Sequence, residues 1–260
     1  MIVKTAGNSA GLAQNTRAKH IQIIKTIMNE AFDLGYTTNA QHRHKKFKAT
    51  WEDTDAVYLS DSEIMQLYNC NLSANKKLEQ CRDLFVFGCF VGLRFSDYST
   101  IKPENIIENI NDDGEKECYI KMKTSKTNEL VVIPCNAVIL KIFNKYKYNP
   151  NKLPKSLSNQ KFNDYVKECC REANLKESGR LLSNPKLELW QCVSSHTARR
   201  SFATNLYLEG FPSIDLMRIT GHRTEKSFLK YIRITKLDTA KRLNKQMKKN
   251  TSAKIFAVAS

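Results

Sequence analysis

Glycine, proline and long apolar runs are scarce in this sequence. Its 260 residues include nine Gly and six Pro, too few for a collagen-like or linker-like chain. The longest apolar run, Leu84–Leu93, is too short to cross a bilayer. The N-terminus shows no apolar signal segment with a small-residue cleavage site. We therefore expect neither export nor a membrane partner.

Patterns that would hold a disulfide framework, a metal ion or a nucleotide are also missing. The eight cysteines form no CxxC pair, and most lie in apolar periodic segments, which is typical of reduced, mostly buried thiols. No paired Asp/Glu cluster indicates a two-metal nuclease. Neither a GxxxxGK[ST] loop nor a GxGxxG loop is present. We therefore expect a cytoplasmic protein with no metal and no cofactor.

Acidic residues are much fewer than basic ones. Against 42 Lys and Arg there are only 26 Asp and Glu, so the formal net charge is +16. An apolar fraction of 41% is high enough for a packed core and too high for a disordered chain. A cytoplasmic protein this basic has nucleic acid as its default partner, although charge alone does not separate DNA from RNA.

The apolar periodicity predicts a mainly α-helical fold with a small three-stranded antiparallel sheet. Helices are expected over 16–34, 60–69, 76–93, 136–147, 159–173, 196–209, 213–220, 224–233 and 236–249. Strands are expected at Asn105–Ile110, Glu117–Lys123 and Leu130–Pro134, joined by turns at 111–114 and 127–128. Composition divides the chain into residues 1–52, which hold too little apolar material for an independent domain, a main domain at 53–241 and a C-terminal tail at 242–260.

Five short features follow one another in the main domain. They are GLRFSD at 92–97, SKTN at 125–128, HTARRSFAT at 196–204, TGH at 220–222 and Tyr231. Arginine, lysine, histidine and tyrosine suit metal-free phosphoryl transfer, in which cations hold the phosphate and the tyrosine attacks it. Taken singly, each feature has a plainer interpretation. Lys126 would be a solvated charge, Gly-His a helix C-cap, and Tyr231 core packing.

In this order the features resemble the tyrosine recombinase (phage integrase) family, over about residues 58–240. The family pattern of Arg, Lys, His-x-x-Arg, Gly-His and Tyr is matched by Arg94, Lys126, His196, Arg199, His222 and Tyr231. Arg200 is a mild departure, because many members carry His there. Residues 1–52 look similar only to the last part of the helical core-binding domain with which typical members clamp the far side of the DNA.

The resemblance implies the catalytic fold of that family and a DNA phosphodiester as substrate. Tyr231 would attack phosphorus and leave a 3′-phosphotyrosyl linkage and a free 5′-hydroxyl, with neither ATP nor metal required. Arg94 and Arg199 would hold the non-bridging oxygens, since planar guanidinium groups fit phosphate well. By resemblance, His196 is the proton partner of the phenol and His222 supports the phosphate.

Further roles follow from the same resemblance. Lys126, on a hairpin that could enter the minor groove, would protonate the leaving 5′-oxygen, and Asp97 would orient a catalytic cation. Other DNA contacts are expected from Arg43, Lys45, Lys46 and Arg200. The implied partner is double-stranded DNA, bound by a homotetramer on paired sites; the free protein would be a monomer in the cytoplasm and would join the nucleoid when bound.

Two other functions stay open at this point. A truncated DNA-binding remnant or regulator is favoured by the short clamp segment, because a one-sided grip loses phosphate contacts. A relaxing topoisomerase would use the same covalent step without partner exchange. The intact six-residue set favours strand transfer. The apolar segment Ile255–Val258 is predicted to dock on a neighbouring protomer rather than to fold back.

Overall fold

The structure is a computed structural model that describes residues 11–146, 157–232 and 234, with 239–240, 243–244 and 247–248. The chain divides into two compact units, Met1–Asp55 and Ala56–Ser260. The predicted tail segment Ile255–Val258 lies outside the described residues. None of the described helices combines the length and apolar composition needed to cross a bilayer.

The smaller unit contains helix α1 (Gln14–Asp33) and a 3-10 turn at Gln41–Arg43. The segment after the turn runs back along α1. There, Lys25 Nζ donates to the Phe47 carbonyl at 2.9 Å, and Asn15 exchanges two hydrogen bonds with the backbone of Glu52. The basic stretch at 41–49 is therefore attached to the helix.

The apolar stripe of α1 is largely open. Ile24 is 48% exposed and Ile27 is 61% exposed. This agrees with the scarcity of apolar material in residues 1–52. The assignment of that segment as part of a DNA clamp stays a prediction.

The larger unit carries a sheet and the other helices. The helices are α2 (Asp61–Asn69), α3 (Lys76–Val91), α4 (Phe95–Tyr98), α5 (Ala137–Lys145), α6 (Asn159–Glu172), α7 (Leu189–Cys192), α8 (Ser195–Glu209), α9 (Ser213–Thr220) and α10 (Glu225–Leu229). The strands are β1 (Ile106–Ile110), β2 (Lys116–Lys123) and β3 (Leu130–Pro134). The predicted fold class, mainly α with a three-stranded antiparallel sheet, is confirmed.

Helix α3 forms the centre of the core. Every residue from Cys81 to Cys89 is buried, and helices α2, α5, α6 and α8 pack around it. A helix that is apolar on all sides is stable only in such a position. The buried carboxylate of Asp83 is satisfied by Arg82 Nε at 2.8 Å, Lys145 Nζ at 2.6 Å and the Tyr146 hydroxyl at 2.7 Å.

The sheet has the strand order β1-β2-β3, with both pairs antiparallel. Ile120 at its centre lies opposite Ile106 and Ile133. In β3, Val131 and Ile133 are buried while their neighbours are exposed, as expected for a sheet with one face on the core. The β2–β3 hairpin carries its connecting turn, residues 124–129, out toward the site described below.

Several predicted helix ends were wrong. Helix α3 stops at Val91 rather than at 93, and α10 stops at Leu229 rather than at 233. Tyr231 therefore follows a helix instead of lying in it. Helix α7 and a bridge between Ser178 and Glu188 were not predicted. Of the predicted helix 236–249, the six described residues are helical.

None of the eight cysteines, all within the described residues, forms a disulfide bond. Cys81, Cys89, Cys169 and Cys170 are buried, and the other four are half-buried. Burial raises the pKa of Cys81 to about 12 and raises the pKa of Cys89 well above its usual range, because a charged thiolate loses its hydration there. The buried thiols therefore act as packing groups.

Candidate active site

Arg94 is positioned by a sharp turn at the end of α3. Gly92 ends the helix in the left-handed conformation, with φ +67°. A Cβ at this position would lie 2.3 Å from the ring of Phe202 on α8, so only glycine fits both the backbone and the space. The chain then leaves the helix and Arg94 becomes the N-cap residue of α4.

Arg199 lies on α8 and is 1% exposed. Its Nη1 donates to the Gly92 carbonyl at 3.3 Å, which connects it to the turn that positions Arg94. The pKa of Arg199 is lowered to about 10, first by burial and then by the nearby charge of Arg94. Arg199 therefore stays cationic at neutral pH.

Two donors of this pair point at no acceptor within the described residues. They are Arg94 Nη1 and Arg199 Nε, and both are buried. Leaving buried N–H groups without an acceptor costs free energy. Two neighbouring guanidinium groups with spare donors form a site that favours an anion.

His222 is fixed as a neutral ring. Gly221 ends α9 in the left-handed conformation, with φ +67°, and His222 follows it. Arg199 Nη2 lies 3.0 Å from His222 Nε2 and 3.3 Å from His222 Nδ1. A guanidinium only donates, and Nδ1 is engaged by Thr220, so Nε2 is the acceptor. Nδ1 then carries the proton and donates to Thr220 Oγ1 at 2.7 Å, while that hydroxyl donates to the Leu216 carbonyl at 2.6 Å.

The surroundings of His222 also disfavour its charged form. Burial, followed by the charges of Arg199 and Arg94, lowers the pKa of His222 to about 3. The ring is therefore neutral throughout the neutral pH range.

Tyr231 lies in the same cluster as the two preceding side chains. Its ring centroid is 4.8 Å from that of His222, and the guanidinium carbon of Arg199 lies 5.4 Å from the Tyr231 ring centroid. Arg200, at 5.8 Å, forms a second cation–π contact. The backbone N–H of Tyr231 donates to the carbonyl of buried Phe228 at 2.7 Å. The Tyr231 ring thus lies beside Arg199 and His222 of the same chain.

His196 lies in the first turn of the helix that carries Arg199 and is exposed. Its pKa is lowered, first by desolvation of the covered part of the ring and then by the charges of Arg200, Arg199 and Arg94. A neutral imidazole can accept a proton, which suits the role predicted for it.

Lys126 lies at the exposed tip of the β2–β3 hairpin. The turn is closed by a hydrogen bond of 2.8 Å between the hydroxyls of Thr124 and Thr127. Asn128 takes the left-handed conformation, with φ +55°. These contacts brace the turn on both sides of Lys126, whose side chain lies on the surface.

Asp97 connects this hairpin to the helix capped by Arg94. The Asp97 carboxylate is fully buried, and its Oδ1 accepts from the backbone N–H of Ser125 at 2.9 Å and from the Ser125 hydroxyl at 2.6 Å. The sequence predicted that Asp97 orients a catalytic cation. Its hydrogen bonds go to the residue before Lys126, and its charge also raises the pKa of Arg199.

The other predicted DNA contacts lie in different surroundings. Arg43 pairs with Asp33 at 2.8 Å and lies 4.3 Å from the ring centroid of Phe32. Lys45 and Lys46 are exposed, and Arg200 is half-buried. A role in DNA binding stays a prediction for all four.

Sequence reasoning missed the residues that hold the hairpin. Arg223, directly after His222, donates from Nη2 to the Thr127 carbonyl at 2.8 Å, and its Nε lies 3.3 Å from Glu129 Oε1. Ser125 was noted only as part of the turn. No periodicity signals these contacts, since they join segments far apart in the chain. Among the described residues, no group of three or more His, Cys, Asp or Glu side chains could hold a metal ion.

Comparison with known proteins places this arrangement in a family. Residues 58–237 match the sequence profile of the phage integrase family. Because the match covers well over half of the chain, the protein belongs to that family, and the predicted resemblance is confirmed. No curated protein matches the sequence.

Solved structures of tyrosine recombinases share the fold. A lambda integrase dimer bound to a COC′ core site has a TM-score of 0.61 at 17% identity, covering 85% of this chain and 74% of the other. A lambda integrase tetramer bound to a Holliday junction gives 0.57 at 16%, with 82% and 58% covered. The Tn1549 transposon integrase with circular intermediate DNA gives 0.56 at 15%, with 89% and 78% covered.

Proposed function

We propose that this protein is a site-specific DNA recombinase that cuts and rejoins DNA through a covalent tyrosine intermediate. The observation that supports this best is the single cluster formed by Tyr231, Arg199 and His222, with ring and guanidinium centres 4.8 and 5.4 Å from the tyrosine ring. A half-buried tyrosine with only a structural role has no need of a buried arginine and a neutral histidine around it.

The proposed reaction balances without a cofactor. The phenolic oxygen of Tyr231 attacks phosphorus, its proton passes to His196, and the bond between phosphorus and the 5′-oxygen breaks. Lys126 gives a proton to that oxygen, leaving a free 5′-hydroxyl and a 3′-phosphotyrosyl linkage. Attack by a 5′-hydroxyl on the linkage reverses the step. The linkage keeps the energy of the broken bond, so ATP is not consumed.

The arginine pair explains how the transition state would be stabilised. Negative charge builds on the non-bridging oxygens during attack. Arg94 and Arg199 repel one another before the phosphate binds, which contributes to the lowered pKa of Arg199. A phosphate between them replaces that repulsion with attraction.

The partners follow from the family and the charge. A net charge of +16 suits double-stranded DNA, and two of the structural relatives are lambda integrase on DNA, as a dimer and as a tetramer. We infer a monomer in free solution, a homotetramer on paired sites, and action on DNA in the cytoplasm.

A second candidate is a DNA-binding remnant that does not transfer strands. The observation that favours it is the smaller unit, whose described residues include a single α-helix with an open apolar stripe. So small a unit would make few contacts with DNA phosphates. A protein of this kind would bind DNA and form no covalent product.

One experiment separates the two candidates. Binding sites are first selected from a randomised duplex library, and the selected site is then built with a nick beside the cleavage point. A strand released at the nick is lost, so the covalent product accumulates. We expect a protein–DNA adduct that survives denaturing electrophoresis. Tight binding with no adduct would support the remnant instead.

A further inference from the structure

The hairpin that carries Lys126 is held by two separate segments of the domain. On one side, Asp97 of α4 accepts two hydrogen bonds from Ser125. On the other, Arg223 contacts Thr127 and Glu129. We call this second set of contacts, Arg223 with the Thr127 carbonyl and the Glu129 carboxylate, the clasp.

The clasp lies next to two residues of the candidate site, Lys126 and His222. The carbonyl that Arg223 binds belongs to Thr127, the residue directly after Lys126. Arg223 itself directly follows His222, whose ring is fixed by Arg199. The clasp therefore sets the distance between the backbone of Lys126 and the part of the site that would hold the phosphate.

The geometry is more specific than that of an ordinary surface ion pair. The guanidinium uses two different nitrogens, Nη2 at 2.8 Å from a carbonyl and Nε at 3.3 Å from a carboxylate oxygen. The turn beneath it is itself braced by the bond between Thr124 and Thr127. Gly221 lies against the same turn, since a Cβ there would be 3.5 Å from Thr124 Cγ2.

Exposure limits what the clasp contributes to stability. The side chains of Arg223 and Glu129 are 66% and 50% exposed, and ion pairs of that kind stabilise a fold little. Its consequence is therefore positional: it restricts where the tip of the hairpin can lie.

We propose that Arg223 is a positioning residue for proton donation by Lys126. The proposal rests on the proposed function, because it needs a leaving 5′-oxygen that accepts a proton. Holding the hairpin keeps the ammonium group within reach of that oxygen. Misplacing a reacting group by about 1 Å lowers a rate markedly, and a general acid contributes about 10²- to 10⁴-fold.

The test compares two substrates that differ in one atom. In one nicked duplex the bridging 5′-atom is oxygen, and in the other it is sulfur. A thiolate leaves without being protonated, since thiols are far more acidic than alcohols. A variant that acts through the proton donor therefore loses rate on the oxygen substrate alone.

We expect Arg223→Ala to slow single-turnover cleavage of the oxygen substrate about tenfold and of the sulfur substrate less than about twofold. Lys126→Ala provides the reference, with a larger loss on oxygen and recovery on sulfur. The double variant should cleave the oxygen substrate no more slowly than Lys126→Ala. Arg223→Lys, which keeps the charge but not the two-point contact, should recover part of the rate.

Arg218→Ala is the matched control, since it removes an exposed arginine of α9 that donates to none of the described hairpin residues. It should leave the ratio of the two rates unchanged. Equal losses on both substrates for Arg223→Ala, or additive losses in the double variant, would overturn the proposal and indicate phosphate binding instead. The proposal would also be overturned if Lys126→Ala cleaved the sulfur substrate as slowly as the oxygen substrate. If the unaltered protein forms no adduct with either substrate, the proposed function fails as well.

Discussion

The candidate site consists of two parts that are held in different ways. The buried part contains Gly92, Arg199 and His222, which are connected to one another by hydrogen bonds inside the domain. The surface part is the hairpin tip with Lys126, held by contacts at its flanks. The part that would bind phosphate is preorganised by packing, whereas the part that would donate the proton is restrained by a few tethers.

Because of this difference, we expect substitutions in the two parts to have different effects on activity and stability. Changes in the buried part should affect both chemistry and stability, since its side chains also fill the core. Changes in the surface part should affect the rate of one proton transfer and leave the fold alone. The predictions below test that division, from the largest expected effect to the smallest.

The largest effect should come from Tyr231→Phe, where the two parts meet. The ring and its contacts with His222 and Arg199 stay, and only the nucleophilic oxygen is lost. We expect no covalent adduct on the nicked substrate, with unchanged DNA binding and melting temperature. Tyr207→Phe, on α8, is the control and should still form the adduct. If the adduct survives in Tyr231→Phe, another residue is the nucleophile, and Tyr207 is the first to examine.

Arg94→Lys should come next. The charge is kept, but an ammonium cannot make the planar two-point contact with a phosphate. We expect cleavage to fall about 10²- to 10³-fold with little change in affinity, because many other cations contact the backbone. The same substitution at exposed Arg218 is the control. Near-normal cleavage by Arg94→Lys, measured in single turnover, would contradict a phosphate-binding role for Arg94.

Gly92→Ala tests the packing of the buried part directly. The new Cβ meets the Phe202 ring at 2.3 Å, and φ is +67°. Strain and overpacking together should cost about 3 kcal/mol and lower the melting temperature by about 6–12 °C. At Gly114, φ is +79° and nothing lies within 4 Å, so Gly114→Ala isolates the backbone strain. Equal losses of stability in the two variants would show that the Phe202 ring moves aside without a measurable cost.

The neutral state of His222 predicts a pH dependence of stability. Its folded pKa of about 3 lies below the usual value of 6.5, so between these values the unfolded chain binds more protons. Its contribution is therefore fully present above pH 6.5 and is lost as the pH falls toward 3. Partial exposure screens the effect, and we expect about 1–3 kcal/mol.

Denaturant unfolding at several pH values measures this effect. Between pH 6.5 and 4, His222→Gln should lose less stability than the unaltered protein, since other acid-sensitive groups are common to both. Parallel pH profiles for the two proteins would contradict a neutral, buried imidazole.

The smallest effect should come from Ser125→Ala in the surface part. It removes one of two hydrogen bonds to Asp97 and keeps the backbone N–H that makes the other. We expect a loss of about two- to fivefold on the oxygen substrate, none on sulfur, and an unchanged melting temperature. A clear drop in melting temperature would show that the hydrogen bond between the Ser125 hydroxyl and Asp97 also stabilises the fold.

Local patterns predicted most of the fold. The strands were predicted to within one residue, because the alternation around Ile120 and Ile133 is a local signal of a half-buried sheet. Helix α2 begins within one residue of the predicted position, where Ser60 and Glu63 form a capping box. The end of α3 was misplaced because the apolar run continues through Leu93, while the left-handed Gly92 stops the helix first.

The candidate site was predictable as a set of residues and not as a set of contacts. The order of the motifs points to Arg94, Lys126 and Tyr231 without any structure. By contrast, Asp97 and Ser125 are 28 residues apart and Arg223 and Thr127 are 96 apart. Such contacts depend on how separate helices and a hairpin pack, which no periodicity encodes.

The Gly92 carbonyl, which accepts a hydrogen bond from Arg199, has one more consequence. It stands at the C-terminal end of α3, a helix of 16 residues, where the aligned peptide dipoles amount to about half a negative charge. No carboxylate of the described residues forms an ion pair with Arg199. The helix dipole thus adds a partial counter-charge to that of Asp97, which raises the pKa of Arg199. A fixed partial charge balances the cation without neutralising it, so the guanidinium keeps its attraction for an incoming phosphodiester.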